Sequence, residues 1–157
     1  QMLELKTKII FDPVDLTKKH KSQSSWKRVV TCQTDCDVHE YYAWFLNARF
    51  NLKLNKPIRK AHVTIVNDKI HDHELYKMAK QLFHGKEITF KYDPAEIRTN
   101  GEHFWIKVYS DDVANIRTVM GLSPNPYFNL HLTIGYANEK NIQHARYIHS
   151  IILKYNL

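Results

Sequence analysis

Two stretches, KAHVTIV at 60–66 and NLHLTIGY at 129–136, alternate apolar and polar residues with a period of two. Side chains on a strand alternate between faces, so Ala61, Val63 and Ile65 share one face and His62 and Thr64 the other. Leu130, Leu132 and Ile134 stand opposite His131 and Thr133 in the same way. Each stretch therefore reads as a half-buried strand with its apolar face on a core, and each is followed, after a short connection, by a helical pattern. A chain that carries this unit twice is constrained to strands and helices mixed along its length.

The rest of the chain agrees. ELKTKIIF at 4–11, WKRVVT at 26–31, EITFKYD and EHFWIKVYS read as strands, with Asn100-Gly101 between the last two as a hairpin signal. Helical spacing of Val38, Tyr41, Tyr42, Phe45 and Leu46 predicts a helix over 37–50 with Asp37 as its N-cap. A second helix is expected over 72–85, capped by Asp72 and stopped at Gly85. DDVANIRTVMGL reads as a short helix and EKNIQHARYIHSIILKY as a closing amphipathic one. No Gly/Ser linker divides the chain, so residues 1–157 read as one α+β domain with antiparallel sheet. Four glycines and no G-x-G-x-x-G leave little room for a phosphate-cradling loop.

Charge bounds the partner. A net +7, from 23 Lys and Arg against 16 Asp and Glu, favours anions, and the ten histidines add to this below neutral pH. The positives are dispersed apart from KKHK at 18–21, which suits small phosphate-bearing ligands and not duplex nucleic acid. No apolar run approaches the ~20 residues that span a bilayer, so no membrane is expected. QMLELKTKIIFD is too charged for a signal peptide, which points to the cytoplasm. Cys32 and Cys36 read as ordinary thiols.

The repeated pair of His and Thr has a clear use at a phosphodiester. A neutral imidazole takes a proton from the attacking oxygen, and a protonated one gives a proton to the leaving oxygen. A reference pKa near ~6.5 makes both forms accessible. The Thr hydroxyls hydrogen-bond the non-bridging phosphate oxygens, where charge builds in the transition state. On this reading His62, Thr64, His131 and Thr133 are catalytic, and the reaction needs no metal or other cofactor.

Two H-x-T motifs, their histidines 69 residues apart, resemble the 2H phosphoesterase superfamily. The segments HEYYAWFLNARFNLKLNKPIRKAHVTIVND, ITFKYDPAEIRTNGEHFWIKVYS, IRTVMGL and FNLHLTIGYAN are similar to the phage anti-CBASS cyclic-oligonucleotide phosphodiesterases, relatives of a small T-even phage tail-fibre-region protein. The likeness runs over about residues 26–138. It implies a bilobal fold, two antiparallel sheets flanking a central cleft with helices outside, each lobe giving one motif (62–65 and 131–134). It implies degradation of cyclic di- and trinucleotides in the infected bacterium's cytoplasm, silencing a nucleotide-signalled immune response, with no obligatory protein partner. Two alternatives stay open: an RNA-end 2′,3′-cyclic or 2′-5′ phosphodiesterase of the same superfamily, and a protein that binds cyclic nucleotides without cutting them.

Bases are usually held by stacking on aromatics. Trp105, opposite in phase to Phe104, Ile106 and Val108, and Tyr92, at a strand end, are the candidates, with Tyr136 depending on whether its strand continues past Gly135. Arg59 and Lys60 precede the first motif, and Lys107 shares the Trp105 face; each can attract phosphate. His103, on that face too, reads as a surface residue, as do His144 and His149. His71-Asp72-His73 could suggest a metal, but Asp72 is better explained as a helix cap and no third ligand follows at helical spacing. The polar segment 12–25 is a candidate lid.

Overall fold

The structure, a computed structural model, describes residues 2–13, 27–57 and 60–155. Its elements follow as β1 (Leu3–Phe11), β2 (Val30–Gln33), α1 (Val38–Phe50), β3 (His62–Val66), α2 (His73–Phe83), β4 (Glu87–Thr99), β5 (His103–Tyr109), α3 (Asp112–Val119), β6 (His131–Tyr136) and α4 (Ile142–Tyr155). The order β-β-α-β-α occurs twice, so the repeated strands belong to repeated halves.

The two sheets expected for a bilobal chain are one. All six strands form a single antiparallel sheet in the order β3-β2-β1-β4-β5-β6. The join is the pairing of β1 with β4, from Leu3 opposite Tyr92 to Lys8 opposite Glu87. That pairing sets Leu5 against Phe90 and Thr7 against Ile88, all buried, and so carries one core across both halves. The motif strands β3 and β6 are the two edges. They contact each other, so the sheet is nearly closed into a barrel.

One face of the sheet is apolar and largely covered. Val63, Ile65, Leu132 and Ile134 are at most 1% exposed. Tyr76 of α2 meets Phe11 edge-on at 5.5 Å and Tyr42 of α1 meets Tyr92 at 6.1 Å. Ala145 and Ile148 of α4 are buried in the same core. Each such side chain contributes about 1.5–3 kcal/mol, so the motif strands are anchored by the residues that alternate with their His and Thr.

Local signals hold in part. Asp72 caps α2, its side chain accepting the Glu74 and Leu75 N–H groups, and Gly85 follows the helix at φ +83°. Asn100 Oδ1 accepts the N–H groups of Glu102 and His103 around Gly101, which closes the β4–β5 turn. Asp37 makes no side-chain cap bond to α1, and Tyr41 and Phe45 point outward while Val38 and Leu46 are buried. β2 starts at Val30, because Arg28 at φ +60° turns the chain before it. β4 runs on to Thr99 through a register shift between Tyr92 and Ile97, where Pro94 lacks the N–H for a regular ladder. Both cysteines are free thiols; burial pushes the Cys32 thiol up in pKa, against a weaker opposing bond with Thr7. His144 is not an idle surface group: its Nε2 donates to the Phe50 carbonyl at 2.8 Å and ties α4 to the end of α1. His149 is half-buried in α4, with its Nδ1 inaccessible to solvent.

Candidate active site

His62 is the first residue of β3 and His131 the first of β6. The two imidazoles are held alike. His62 Nδ1 lies 2.6 Å from the Lys60 carbonyl and His131 Nδ1 lies 2.8 Å from the Asn129 carbonyl, each two residues upstream. A carbonyl only accepts, so Nδ1 carries the hydrogen in both rings. That leaves Nε2 as the proton-exchanging atom of each. His62, Thr64, His131 and Thr133 are all half-buried and alternate with buried aliphatics, as a polar strand face beside a core requires.

Cross-strand neighbours complete that polar face. His62 stands opposite Gln33 and Thr64 opposite Thr31, both buried. His131 stands opposite Lys107 and Thr133 opposite Trp105. β3 and β6 are not joined by a ladder, yet two ties hold them in reciprocal fashion. The segment that leads into β3 is bridged to the end of β6: the Asn55 N–H donates to the Tyr136 carbonyl at 2.8 Å, and the Asn55 carbonyl accepts the Tyr136 N–H at 3.1 Å. In return, Arg117 of α3 joins the end of β3 to the segment leading into β6. It donates to the Ile65 carbonyl (3.0 Å), to both oxygens of Asp68 (2.8 and 2.9 Å) and to the Ser123 carbonyl (2.8 Å).

The first tie depends on Gly135. A Cβ there would sit 2.7 Å from the Asn55 carbonyl oxygen and 3.2 Å from Leu54 Cβ. Gly135→Ala is therefore expected to break the bridge and destabilise the fold by about 1–3 kcal/mol, read as a lower urea midpoint at an unchanged slope.

Beside His131 lies a hollow of about 300 Å³ lined by Asn100, His103, Trp105, Phe128, Asn129, His131 and Thr133. The Trp105 ring meets His131 edge-on at 6.2 Å. Tyr136 joins this face through a bulge. Trp105 pairs with Thr133 but Phe104 with Gly135, so β6 has one extra residue there, and Tyr136 lands opposite His103 with ring centroids 6.3 Å apart. Simple alternation would have sent Tyr136 to the other face.

The remaining candidates separate. Tyr92 is 7% exposed on the apolar face, against Tyr42, and is a core residue and not a base platform. Its strand position set it in phase with Phe90, which the sequence reading did not weigh. Lys60 is exposed and pairs with Asp35 at 2.9 Å. Lys107 Nζ lies over the Tyr109 ring at 5.3 Å. Arg59, and the candidate lid from residue 14 on, lie outside the described residues. His103, Phe128, Asn100 and Asn129 were not singled out as site residues in the sequence. For His103 the signal was present, because it shares the phase of Trp105 on β5; the others sit on connections where periodicity says nothing. Among the described residues no three His, Cys, Asp or Glu side chains gather closely enough to hold a metal ion, and no helix is long and apolar enough to cross a membrane.

Comparison with protein-family models, curated proteins and solved structures finds no match.

Proposed function

We propose that this protein is a metal-independent phosphodiesterase that opens cyclic di- and trinucleotides, and that it serves a phage by removing the messenger of a bacterial immune response. The observation that carries the reading is the matched bonding of the two motif histidines, Nδ1 to a carbonyl two residues upstream, on the two strands whose edges meet. Equivalent tautomers suit a pair that exchanges roles between acid and base.

In the proposed course, Nε2 of one histidine takes the proton of a ribose 2′-OH as its oxygen attacks the adjacent 3′-phosphorus. The P–O5′ bond breaks, and O5′ takes a proton from Nε2–H of the other histidine. Thr64 and Thr133 hydroxyls donate to the non-bridging oxygens. The ring opens to a linear chain with a 2′,3′-cyclic phosphate end. Water then adds to that phosphorus with the roles reversed, O2′ leaves with a proton, and a 3′-phosphate remains. Each proton transfer is worth about 10²–10⁴-fold. Because one ring must be neutral and the other protonated, kcat/KM is expected to be bell-shaped in pH.

Trp105 and Phe128 flank His131 and supply faces for a base next to the scissile phosphate. Trp105→Ala is expected to weaken binding of a cyclic dinucleotide by about 1–3 kcal/mol, seen by calorimetry on a catalytically inactive background. The function itself is tested by incubating the protein with cyclic di- and trinucleotides and with linear RNA bearing 2′,3′-cyclic ends, in excess EDTA, and separating the products. Cleavage of the rings supports the proposal. Cleavage of linear ends alone assigns the RNA-end activity, and tight binding with no cleavage assigns a sequestering role.

A further inference from the structure

A second concave site lies on the helix-bearing side of the sheet, at the end of β2 away from Gln33. It is a hollow of about 570 Å³ lined by Asp12, Lys27, Arg28, His73, Tyr76, Lys77 and Lys80. His73, Tyr76, Lys77 and Lys80 stand at i, i+3, i+4 and i+7 on α2, so one stripe of that helix forms a wall. Lys27 and Arg28 form the wall opposite, where the chain enters β2.

Asp12 organises the hollow. Its Oδ1 accepts the Tyr76 hydroxyl at 2.7 Å and the Arg28 N–H at 2.6 Å, and its Oδ2 accepts from Lys80 at 2.9 Å. Burial opposes the charge on Asp12, but the bonds from Lys80, Tyr76 and Arg28 outweigh it and hold the carboxyl below the ordinary carboxylate range. The same bonds keep Asp12 at φ +51° and Arg28 at φ +60°, left-handed backbone that costs a residue with a side chain about 1–2 kcal/mol. Two such residues, held side by side by one carboxylate, fix the turn that carries Arg28 to the rim.

Charge and shape then select the ligand. Among the described lining residues, four Lys and Arg side chains stand around one carboxylate, Asp12, that is already bonded, which gives the concave site a net positive field. Among the described lining residues, Tyr76 is 6% exposed and packs its ring against Phe11, so it offers no open face to a base. Lys77 faces Glu74 at 3.6 Å in an exposed pair that an anion can displace. The volume exceeds what one phosphate fills.

We propose that this hollow binds a diphosphate group, free or carried on a nucleoside, with Arg28 as the forked donor and Lys77 and His73 beside it. The site lies apart from the two H-x-T motifs and does not depend on the function assigned to them.

Calorimetry with pyrophosphate and, separately, ADP on the full chain tests it. Saturable binding at one site is expected, falling with added salt. Arg28→Gln and Lys77→Gln should each weaken pyrophosphate binding about tenfold or more, while Lys140→Gln, which removes the same charge from the segment before α4, leaves it unchanged. ADP binding no tighter than pyrophosphate supports recognition of the phosphates alone; tighter ADP binding that Arg28→Gln also weakens supports a nucleoside-borne group. Absence of saturable pyrophosphate binding, or equal weakening by all three variants, overturns the proposal.

Discussion

His131→Asn is expected to lower kcat on a cyclic dinucleotide by about 10²–10⁴-fold while leaving binding and the unfolding midpoint close to those of the parent. The substitution is chosen for its geometry. The Asn side-chain amide can still donate to the Asn129 carbonyl that His131 Nδ1 holds at 2.8 Å, but it has no atom that can exchange a proton in place of Nε2. A loss of turnover with this variant therefore reports proton transfer and not a displaced strand. His62→Asn is expected to do the same through the Lys60 carbonyl. With both rings acting on one phosphate, as proposed, the double variant should be little worse than either single one. Single-turnover rates, fitted separately from binding, check all three. Retention of activity by His131→Asn would remove that ring from the chemistry.

Arg117→Ala should destabilise the fold by about 3–5 kcal/mol, the cost of removing a buried guanidinium from a partly buried ion pair and two carbonyls. The guanidinium is 1% exposed and bridges Asp68, Ile65 and Ser123, so its loss strands one carboxylate and two carbonyls. For a chain of this size the melting temperature should fall by roughly 6–20 °C. Arg117→Lys should recover part of the stability but not all, because an ammonium cannot span Asp68 bidentately and still reach both carbonyls. Acid separates this ion pair from general packing. The hydrogen bond from Arg117 holds the Asp68 carboxyl below the usual carboxylate range, against the opposing effect of burial. A carboxyl whose folded pKa lies below its unfolded value of about 3.9 contributes its full stability above that value. The contribution drains as pH falls through the folded pKa. Urea titrations at neutral and acid pH should therefore show a steeper acid loss in the parent than in Arg117→Ala.

Sequence revealed what depends on neighbours along the chain and not what depends on neighbours across the sheet. The polar and apolar faces of β3 and β6 were legible because alternation is local: His62 and Thr64, and His131 and Thr133, are half-buried while their neighbours are buried. The caps at Asp72 and the turn at Asn100-Gly101 were legible for the same reason. Position across the sheet was not. The β1–β4 pairing that makes one sheet of two halves has no local mark, since any two alternating strands with apolar faces could form it. Tyr136 reaches the polar face only because β6 bulges against β5, and a bulge is a property of two strands in register. Tyr92 was misplaced although its phase with Phe90 on β4 already put it on the core side. The exposure of Tyr41 and Phe45 follows from where α1 lies on the sheet, which helical spacing cannot supply.

The central claim is that both histidines act on one phosphodiester by 2′-OH attack, and the order in which product ends form tests it most directly. In excess EDTA, a single turnover of a cyclic dinucleotide should first yield a linear chain ending in 2′,3′-cyclic phosphate. That species should then decay to a 3′-phosphate, with both phases abolished in His62→Asn and His131→Asn. A product bearing a 5′-phosphate, or cleavage that appears only when a divalent metal is restored, would contradict the account.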